Sequence, residues 1–412
     1  MRILFVTNEI PYPPTNGVRI AVYNPMRLMR DAGHTLALAV LSDEDDSIDS
    51  RLEHMRQICD SVAYHLLPRK NRWLLACQTL LLDKLFFMER YRSSLFARAL
   101  RCLVSDFAPA VVHFDSIAMT QYRYVIPHGI GTIASINDSC SLAFETMISR
   151  KLAGRMGWYR VFQLRQIRRY ESTAYTQFHF CQTMTEVDGD YLRKLNPHTH
   201  CLAIPNGVDN QLFDVSPPMS MRDVLCVTSG ARNQLELLGQ FVESGWRIVH
   251  ATHPDALLHV RGTIGQQFEG VDTPMFARIV GGVRFYGFVE SLKDVYRDAS
   301  VVVLLQDQDC GIVNKALEAM ACQRLVVGYR RTFRSISGAQ EGIHYLAGEN
   351  CREIGEIIAD MLGDPDRIER IGMQARELIM RDYLWEDRSS RYEDMYQEAQ
   401  RLACEEVSDK GS

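Results

Sequence analysis

Short apolar runs alternate with longer amphipathic segments along the whole chain. In the first half, this pattern predicts β-strands at Ile3–Thr7, Thr35–Leu41, Ser61–Leu66, Ala110–Phe114, Gly131–Ile136 and His179–Gln182. Their apolar character is continuous rather than alternating, which is typical of strands that are covered on both faces. The first half therefore predicts an α/β fold, in which helices cross over between the strands of a parallel sheet.

The same pattern restarts in the second half. It predicts strands at Val224–Thr228, Trp246–His250, Val283–Tyr286, Val301–Leu305, Arg324–Gly328 and His344–Ala347. Helices are predicted at Gln234–Glu243, Leu292–Asp298, Asn314–Ala321 and Cys351–Leu362, and the charged tail from Pro365 onward is also predicted to be helical. The second half therefore predicts a second α/β sheet of similar size.

A linker is predicted at residues 204–220, where Pro, Gly, Asn and Asp cluster. A chain of 412 residues is also too long for one ordinary hydrophobic core. We predict an N-terminal domain at 1–205, a C-terminal domain at 206–384, and a closing helix at 385–412 that packs back on the N-terminal domain. Two such domains create a cleft at the carboxyl ends of their strands, where α/β proteins bind ligands.

Composition and charge exclude several classes of protein. The chain is 46% hydrophobic and 24% charged, with a net charge of −5, so it lacks the general basic surface of a nucleic-acid binder. Its 11 cysteines are odd in number and scattered, and no Cys-x-x-Cys pair occurs, which argues against a disulfide framework and a zinc site. The start reads as a first strand rather than a signal peptide, and no apolar run reaches 18 residues, so we expect a cytoplasmic protein.

The segment CGIVNKALEAMA, residues 310–321, carries the clearest candidate chemistry. Gly311 precedes a predicted helix start, where backbone amides approach a diphosphate closely and the helix dipole favours negative charge. The carboxylate of Glu318 is suited to accept hydrogen bonds from a diol, and Asn314 or Lys315 adds a donor to phosphate or sugar. The alternative is that these polar residues form an ordinary solvated helix face.

Three segments together resemble a known family. They are LFVTNEIPYPPTNGVRIAVYNPMRLMRDAGHTL, CQTMTEVDGDYLRKLNPHTHCLAIPNGVDNQLF and YGFVESLKDVYRDASVVVLLQDQDCGIVNKALEAMACQRLVVG. In order and spacing they resemble the family 4 retaining glycosyltransferases of the GT-B fold, and among these the exopolysaccharide-type sugar transferases. The resemblance extends over nearly the whole chain, including the tail.

The resemblance implies two Rossmann-like domains that face a cleft, and a function in polysaccharide, glycolipid or glycoconjugate biosynthesis. It implies transfer of a sugar with retention at the anomeric carbon, without a metal or other cofactor. The co-substrate would be a nucleotide-diphosphate sugar, of UDP or GDP, and the acceptor a hydroxyl on a glycan or a lipid-linked molecule. Gly311 stands where the family binds the donor phosphates, and Glu318 where it binds the ribose hydroxyls.

The donor segment departs from the family pattern at two positions. Cys310 stands where the family usually has a first glutamate, which puts recognition of the sugar hydroxyls by that residue in doubt. Arg232 matches a phosphate-binding arginine, but Leu237 occupies the place of the lysine that usually follows it. Arg232 is permanently charged and suits a phosphate clamp, and its alternative is an ordinary loop arginine.

Further candidates lie in the first domain. Gly17 opens the first helix and, as a donor-binding candidate, permits close approach of the donor phosphate or the transferred sugar, with a simple turn glycine as its alternative. Asn137 fills the slot of a family histidine that touches the transferred sugar, and Asp138 is placed to orient an acceptor. His113, at another strand end, is a competing catalytic candidate, with a core histidine as its alternative.

Two further functions and a membrane contact stay open at this point. A catalytically silent GT-B protein that binds a nucleotide sugar or pairs with a partner has the same fold, and so does a non-hydrolysing nucleotide-sugar epimerase. The basic amphipathic segments 69–101 and 149–170 suit peripheral contact with the inner face of a membrane. Their alternative is a set of helices that cover the first sheet with solvated basic faces.

Overall fold

The protein divides into two compact units. The computed structural model describes every residue except 44–47, 72–74, 76, 78, 80–83, 150–156, 216, 229–231, 264–279, 288–291, 308–309 and 412. Unit 1 comprises Met1–Asn206 together with Trp385–Ser412, and unit 2 comprises Gly207–Leu384.

Unit 1 is built on a seven-stranded sheet whose described strands all pair in parallel. The strands are β1 (Arg2–Thr7), β2 (Thr35–Ser42), β3 (Ser61–Leu66), β4 (Val111–Asp115), β5 (Gly131–Ile136), β6 (Phe180–Thr183) and β7 (Cys201–Ala203). Their order is β3-β2-β1-β4-β5-β6-β7. The chain therefore reverses its direction of travel across the sheet between β1 and β4.

Unit 2 repeats this arrangement with six described strands, again all parallel. They are β8 (Val224–Val227), β9 (Leu258–Arg261), β10 (Val283–Tyr286), β11 (Val301–Leu304), β12 (Leu325–Tyr329) and β13 (Leu346–Gly348). The order β10-β9-β8-β11-β12-β13 places the reversal between β8 and β11. In open parallel sheets, ligands bind outside the carboxyl ends of the strands at such a reversal.

Helices connect the strands in both units. In unit 1 they are α1 (Gly17–Asp31), α2 (Ile48–Ile58), α3 (Phe86–Arg90), α4 (Ser94–Phe107), α5 (Ile117–Thr120), α6 (Cys140–Ser149), α7 (Gly157–Ala174) and α8 (Glu186–Leu195). In unit 2 they are α9 (Arg232–Phe241), α10 (Arg247–Thr252), α11 (Leu292–Tyr296), α12 (Asn314–Ala321), α13 (Cys351–Met361) and α14 (Pro365–Asp382). The last helix, α15 (Arg388–Gly411), returns to unit 1.

Helix α15 covers one face of the sheet of unit 1. Its buried residues Tyr392, Tyr396 and Ala399 belong to the same core cluster as Phe5 of β1. The approach is close at Gly131, the first residue of β5, where a Cβ atom would lie 2.9 Å from the carbonyl carbon of Ala399. Only glycine fits between this strand and the helix without a local shift.

One predicted strand is wrong. Residues Trp246–His250 are helical: a π-helical turn spans Val242–Trp246 and leads directly into α10. Trp246 is fully buried, and its indole nitrogen donates a hydrogen bond to the carbonyl of Gly281 at 3.0 Å. A short apolar run is compatible with a buried helix as well as with a buried strand, and these residues form a helix. The strand next to β8 is instead β9, which the apolar pattern missed, as it also missed β7.

The other predicted strands each overlap an observed strand, and the helix predicted at Asn314–Ala321 has the observed bounds of α12. Within the described residues, no helix combines the length and the apolar character needed to cross a membrane.

Candidate functional site

The loop between β11 and α12 brings the donor-side candidates of unit 2 together. Gly311 adopts a φ of +66°, in the left-handed region that glycine enters without strain. Val313 then caps α12 without a side-chain hydrogen bond, because valine offers no acceptor. The backbone amides at the start of an α-helix point along its axis, and the helix dipole makes this end favourable for an anion.

Glu318 lies one turn into α12, on the same face as Asn314. Its Oε2 accepts a hydrogen bond of 2.7 Å from the hydroxyl of Tyr296, at the end of α11. Burial raises the pKa of Glu318, while the Tyr296 hydroxyl and the nearby Lys315 lower it. The carboxylate is therefore held in one orientation by a tyrosine that the sequence motif does not contain.

Lys315 is partly buried beside the same carboxylate. Burial lowers its pKa, and the proximity of Cys226 and Glu318 counteracts this effect. A partly desolvated ammonium group interacts more strongly with an anion than one in bulk water. Lys315 is thus a local source of positive charge next to the start of α12.

Arg232 is the first residue of α9, directly after the carboxyl end of β8. Its side chain lies outside the described part of the structure, and so do residues 229–231. Leu237, at the lysine position of the family pattern, packs against the core of unit 2. The role of Arg232 therefore stays a prediction.

In unit 1, Gly17 opens α1 in the exposed loop that follows β1. The preceding Asn16 caps the helix by accepting a hydrogen bond of 2.9 Å from the amide of Arg19. Glu9 accepts hydrogen bonds from the Arg19 side chain at 3.1 Å and from Asn16 at 3.4 Å. This network holds the loop in a defined conformation beside Gly17.

Asn137 and Asp138 follow the carboxyl end of β5, immediately before α6. The amide oxygen of Asn137 is buried, and no hydrogen bond reaches it from the described residues. Burial raises the pKa of Asp138 to about 6, and the nearby Asp188 carboxylate adds to the shift. Both candidates thus lie in a partly desolvated, acceptor-rich environment.

The N-terminus of α6, in contrast, is satisfied internally. Glu171 accepts hydrogen bonds from the amide of Cys140 at 2.9 Å and from the hydroxyl of Ser141. Asp188 accepts one from the amide of Ser139 at 2.9 Å. Two buried carboxylates therefore occupy the place that an external anion would take.

His113 lies in the core of unit 1, which is a correction to its candidacy as a catalytic residue. It is 1% exposed, its ring lies 4.9 Å from that of Phe5, and its Nδ1 shares a hydrogen bond of 2.8 Å with the hydroxyl of Tyr396. Burial lowers its pKa to about 3, so the ring is neutral at physiological pH. The side chain packs against α15 as a core residue, and its Nε2 is buried without a hydrogen-bond partner among the described residues.

Two residues beside these candidates escaped the sequence analysis. One is Tyr296, whose only sequence signal is that a buried tyrosine hydroxyl requires a partner. The other is Asp115, the last residue of β4, which is 1% exposed and whose two carboxyl oxygens have no hydrogen-bond partner among the described residues. Its sequence signal is that an aspartate directly follows the predicted strand Ala110–Phe114, two residues after His113.

Residues 222–364 match the model of a family described as "Glycosyl transferases group 1", which spans most of unit 2. No curated protein matches the sequence.

Solved structures resemble nearly the whole chain. Sucrose-phosphate synthase from Thermosynechococcus elongatus matches with a TM-score of 0.72 at 16% identity, over 96% of this chain and 98% of that chain. HepE from Anabaena, in complex with UDP and glucose, matches with a TM-score of 0.66 at 12% identity, over 96% and 99%. A variant of TarM from S. aureus, in complex with fondaparinux, α-GlcNAc-glycerol and UDP, matches with a TM-score of 0.69 at 10% identity, over 96% and 99%.

At these identities the structural likeness establishes the fold. The chain has the GT-B architecture, with two parallel α/β sheets. Together with the matched glycosyl transferase domain, this identifies the protein as a glycosyltransferase.

Proposed function

We propose that this glycosyltransferase moves a sugar from a nucleoside diphosphate sugar, of UDP or GDP, to a hydroxyl acceptor with retention of the anomeric configuration and without a metal. We place it in the biosynthesis of a polysaccharide, glycolipid or glycoconjugate. The observation that carries the proposal is the start of α12 directly after the left-handed Gly311, with Glu318 held one turn later by Tyr296.

The chemistry of that segment suits a nucleoside diphosphate. The amides at the start of α12 bind the diphosphate and the helix dipole favours its charge, while Lys315 adds a cation. The Glu318 carboxylate accepts hydrogen bonds from the ribose hydroxyls. HepE and TarM, both crystallised with UDP, support UDP as the nucleotide.

In the proposed mechanism, positive charge around the diphosphate stabilises it as the leaving group, which is commonly the largest catalytic contribution. The acceptor hydroxyl attacks on the face that the diphosphate leaves, and a diphosphate oxygen takes its proton. Asn137 and Asp138 of unit 1 orient the acceptor. Retention follows from attack on that same face.

Thermal unfolding with UDP, GDP, ADP and their sugars tests the donor site, because a ligand that binds only the folded state raises the midpoint. We expect a UDP or GDP compound to raise it. Glu318→Ala should weaken the binding at least tenfold, equivalent to about 1.4 kcal/mol. Glu356→Ala, on the exposed face of α13, is the matched control and should leave binding unchanged.

A panel in which no nucleotide shifts the midpoint of the wild-type protein would refute the donor site. The stereochemistry is tested separately, by proton NMR of the glycoside formed. An inverted anomer would refute retention while leaving the donor site intact.

We also propose peripheral membrane contact, with a lipid-linked acceptor. Trp158 and Val161 of α7 are 64% and 52% exposed, and Arg165 and Arg168 are exposed on the same helix. An aromatic and basic helix surface of this kind binds anionic lipid headgroups. Residues 150–156 of this segment, and residues 72–74, 76, 78 and 80–83 of the segment 69–101, lie outside the described residues.

Co-sedimentation with phosphatidylglycerol vesicles measures this contact, with phosphatidylcholine vesicles as the control. We expect binding to the anionic vesicles alone, and Trp158→Ser should reduce it. Equal recovery with both vesicle types would contradict the proposal.

A further inference from the structure

Buried hydrogen-bond acceptors without partners collect at the strand ends of unit 1. They include both carboxyl oxygens of Asp115, after which β4 ends, and the amide oxygen of Asn137, which follows β5. In folded proteins nearly all buried polar atoms have a partner. Unsatisfied acceptors on two adjacent strands therefore point to a ligand that supplies donors.

The register of the sheet places these two residues at the same end of neighbouring strands. β4 and β5 pair in parallel, with Asp115 opposite Ser135, two residues before Asn137. The hydroxyl of Ser135 donates a hydrogen bond of 2.5 Å to Oε1 of Gln182, so it is directed away from Asp115. The position also lies beside β1, at the reversal of strand order where parallel sheets bind ligands.

The backbone is strained directly after Asp115. Ser116 has a φ of +69°, in the left-handed region, although it is not glycine. Its amide donates to the carbonyl of Ser135 at 2.9 Å, and its own buried hydroxyl has no partner among the described residues. Strain of this kind persists where surrounding structure enforces it, and it concentrates at functional sites.

The surroundings of Asp115 favour its neutral, protonated form. Burial raises its pKa well above the ordinary range and the Glu9 carboxylate adds to this, while the amide of Ser116 lowers it. The hydroxyl of Tyr392, from α15, also interacts with Asp115 and has no hydrogen-bond partner in the described structure. Arg388 and Arg391 interact with Tyr392, and no cation forms an ion pair with Asp115 among the described residues.

This environment discriminates between classes of ligand. A phosphate group brings acceptors and negative charge, which the acceptors here and Glu9 disfavour. A polyol brings several hydroxyl donors at fixed spacing, and each hydroxyl can also accept from Tyr392 or Ser116. Adjacent sugar hydroxyls match the unsatisfied atoms better than a charged group does.

We propose that Asp115 is a specificity-determining residue of unit 1 that accepts a hydrogen bond from a sugar hydroxyl, with Asn137 accepting from a neighbouring hydroxyl of the same ring. The inference rests on the proposed sugar transfer and names a further recognition residue for it. The sugar is either the transferred unit of the donor or the acceptor.

The variant Asp115→Asn tests the proposal in the full-length protein, because it keeps the shape and replaces one carboxyl oxygen with an amide nitrogen, which cannot accept a hydrogen bond. Without ligand, we expect a higher unfolding midpoint than wild type, since an unpartnered buried carboxyl is removed. Asp298→Asn is the matched control: Asp298 pairs with Arg261 at 2.5 Å, so the same change should lower the midpoint.

Ligand binding then shows whether the sugar that contacts Asp115 belongs to the donor or to the acceptor. UDP should bind to Asp115→Asn as it does to wild type. If the sugar belongs to the donor, the extra affinity of the preferred nucleotide sugar over its bare nucleotide falls at least tenfold. If it belongs to the acceptor, the KM for the preferred methyl glycoside rises at least tenfold. Asn137→Ala should change the same quantity.

If Asp115→Asn still binds UDP and changes neither the extra affinity for the nucleotide sugar nor the KM for the methyl glycoside, the proposed role of Asp115 is refuted. The proposed sugar transfer is not affected by that result. A wild-type protein that binds no nucleotide sugar would instead overturn the proposed function, and this inference with it. A midpoint that falls in Asp115→Asn as far as in Asp298→Asn would also count against it, since Asp115 would then have a structural partner.

Discussion

The buried carboxyl of Glu171 makes the stability of unit 1 dependent on pH. Glu171 is 1% exposed and lies against the N-terminus of α6, where it accepts hydrogen bonds from Cys140 and Ser141. Burial raises its pKa from 4.5 to about 7, although these hydrogen bonds counteract the shift. In the unfolded chain the carboxyl titrates near its ordinary value.

The sign of the effect follows from proton binding in the two states. Between pH 4.5 and about 7 the folded protein keeps a proton on Glu171 that the unfolded chain has lost. The stabilisation is therefore complete below pH 4.5 and is lost as the pH rises through about 7. One pKa unit corresponds to about 1.4 kcal/mol, so the full loss is about 3 kcal/mol.

Urea unfolding of wild type and Glu171→Gln at a series of pH values measures this loss. Gln does not titrate, so the free energy of unfolding of wild type, relative to the variant, should fall by about 3 kcal/mol across this window and stay level above it. Glu186→Gln, at an exposed carboxyl of the same unit, should leave the pH dependence unchanged. A difference between wild type and Glu171→Gln that is flat, or that grows with pH, refutes the reasoning.

Three further outcomes test the packing and the donor site. Gly131→Ala should lower the free energy of unfolding by about 2 kcal/mol in urea, because its Cβ would meet Ala399 at 2.9 Å, and an unchanged midpoint would contradict this contact. Tyr296→Phe should weaken UDP binding several-fold by releasing Glu318, whereas unaltered affinity would show that the hydroxyl does not orient it. The ring of His113 should show no titration by NMR between pH 5 and 8, because burial lowers its pKa to about 3.

The periodicity of the chain determined the two parallel sheets and most of their helices. A continuous apolar run such as Val301–Leu305 indicates a strand that is buried on both faces. Such a run can be recognised in the sequence without knowing which strands pair with it. The motif at Gly311–Glu318 was equally local, since its glycine, helix start and carboxylate follow one another along the chain. The sequence by itself therefore predicted the fold and the helix start that lies between Gly311 and Glu318.

The type of secondary structure could not be predicted from every short apolar run, because a short run does not show whether the period is that of a strand or of a helix. At Trp246 the helical conformation is stabilised, in place of the predicted strand, by burial of the indole and by its hydrogen bond to Gly281, 35 residues away. Only the tertiary structure supplies contacts at that separation.

The environment of each polar side chain was likewise decided by the tertiary structure. His113 is a core residue because α15 brings Tyr396 onto it from 283 positions further along the chain, and Glu318 is oriented by a tyrosine 22 residues before it. Asp115 stands out because both of its carboxyl oxygens are buried without a hydrogen-bond partner among the described residues. Residue types and spacing determined which groups were present, whereas burial and partners, which set pKa and accessibility, arose only once distant segments packed together.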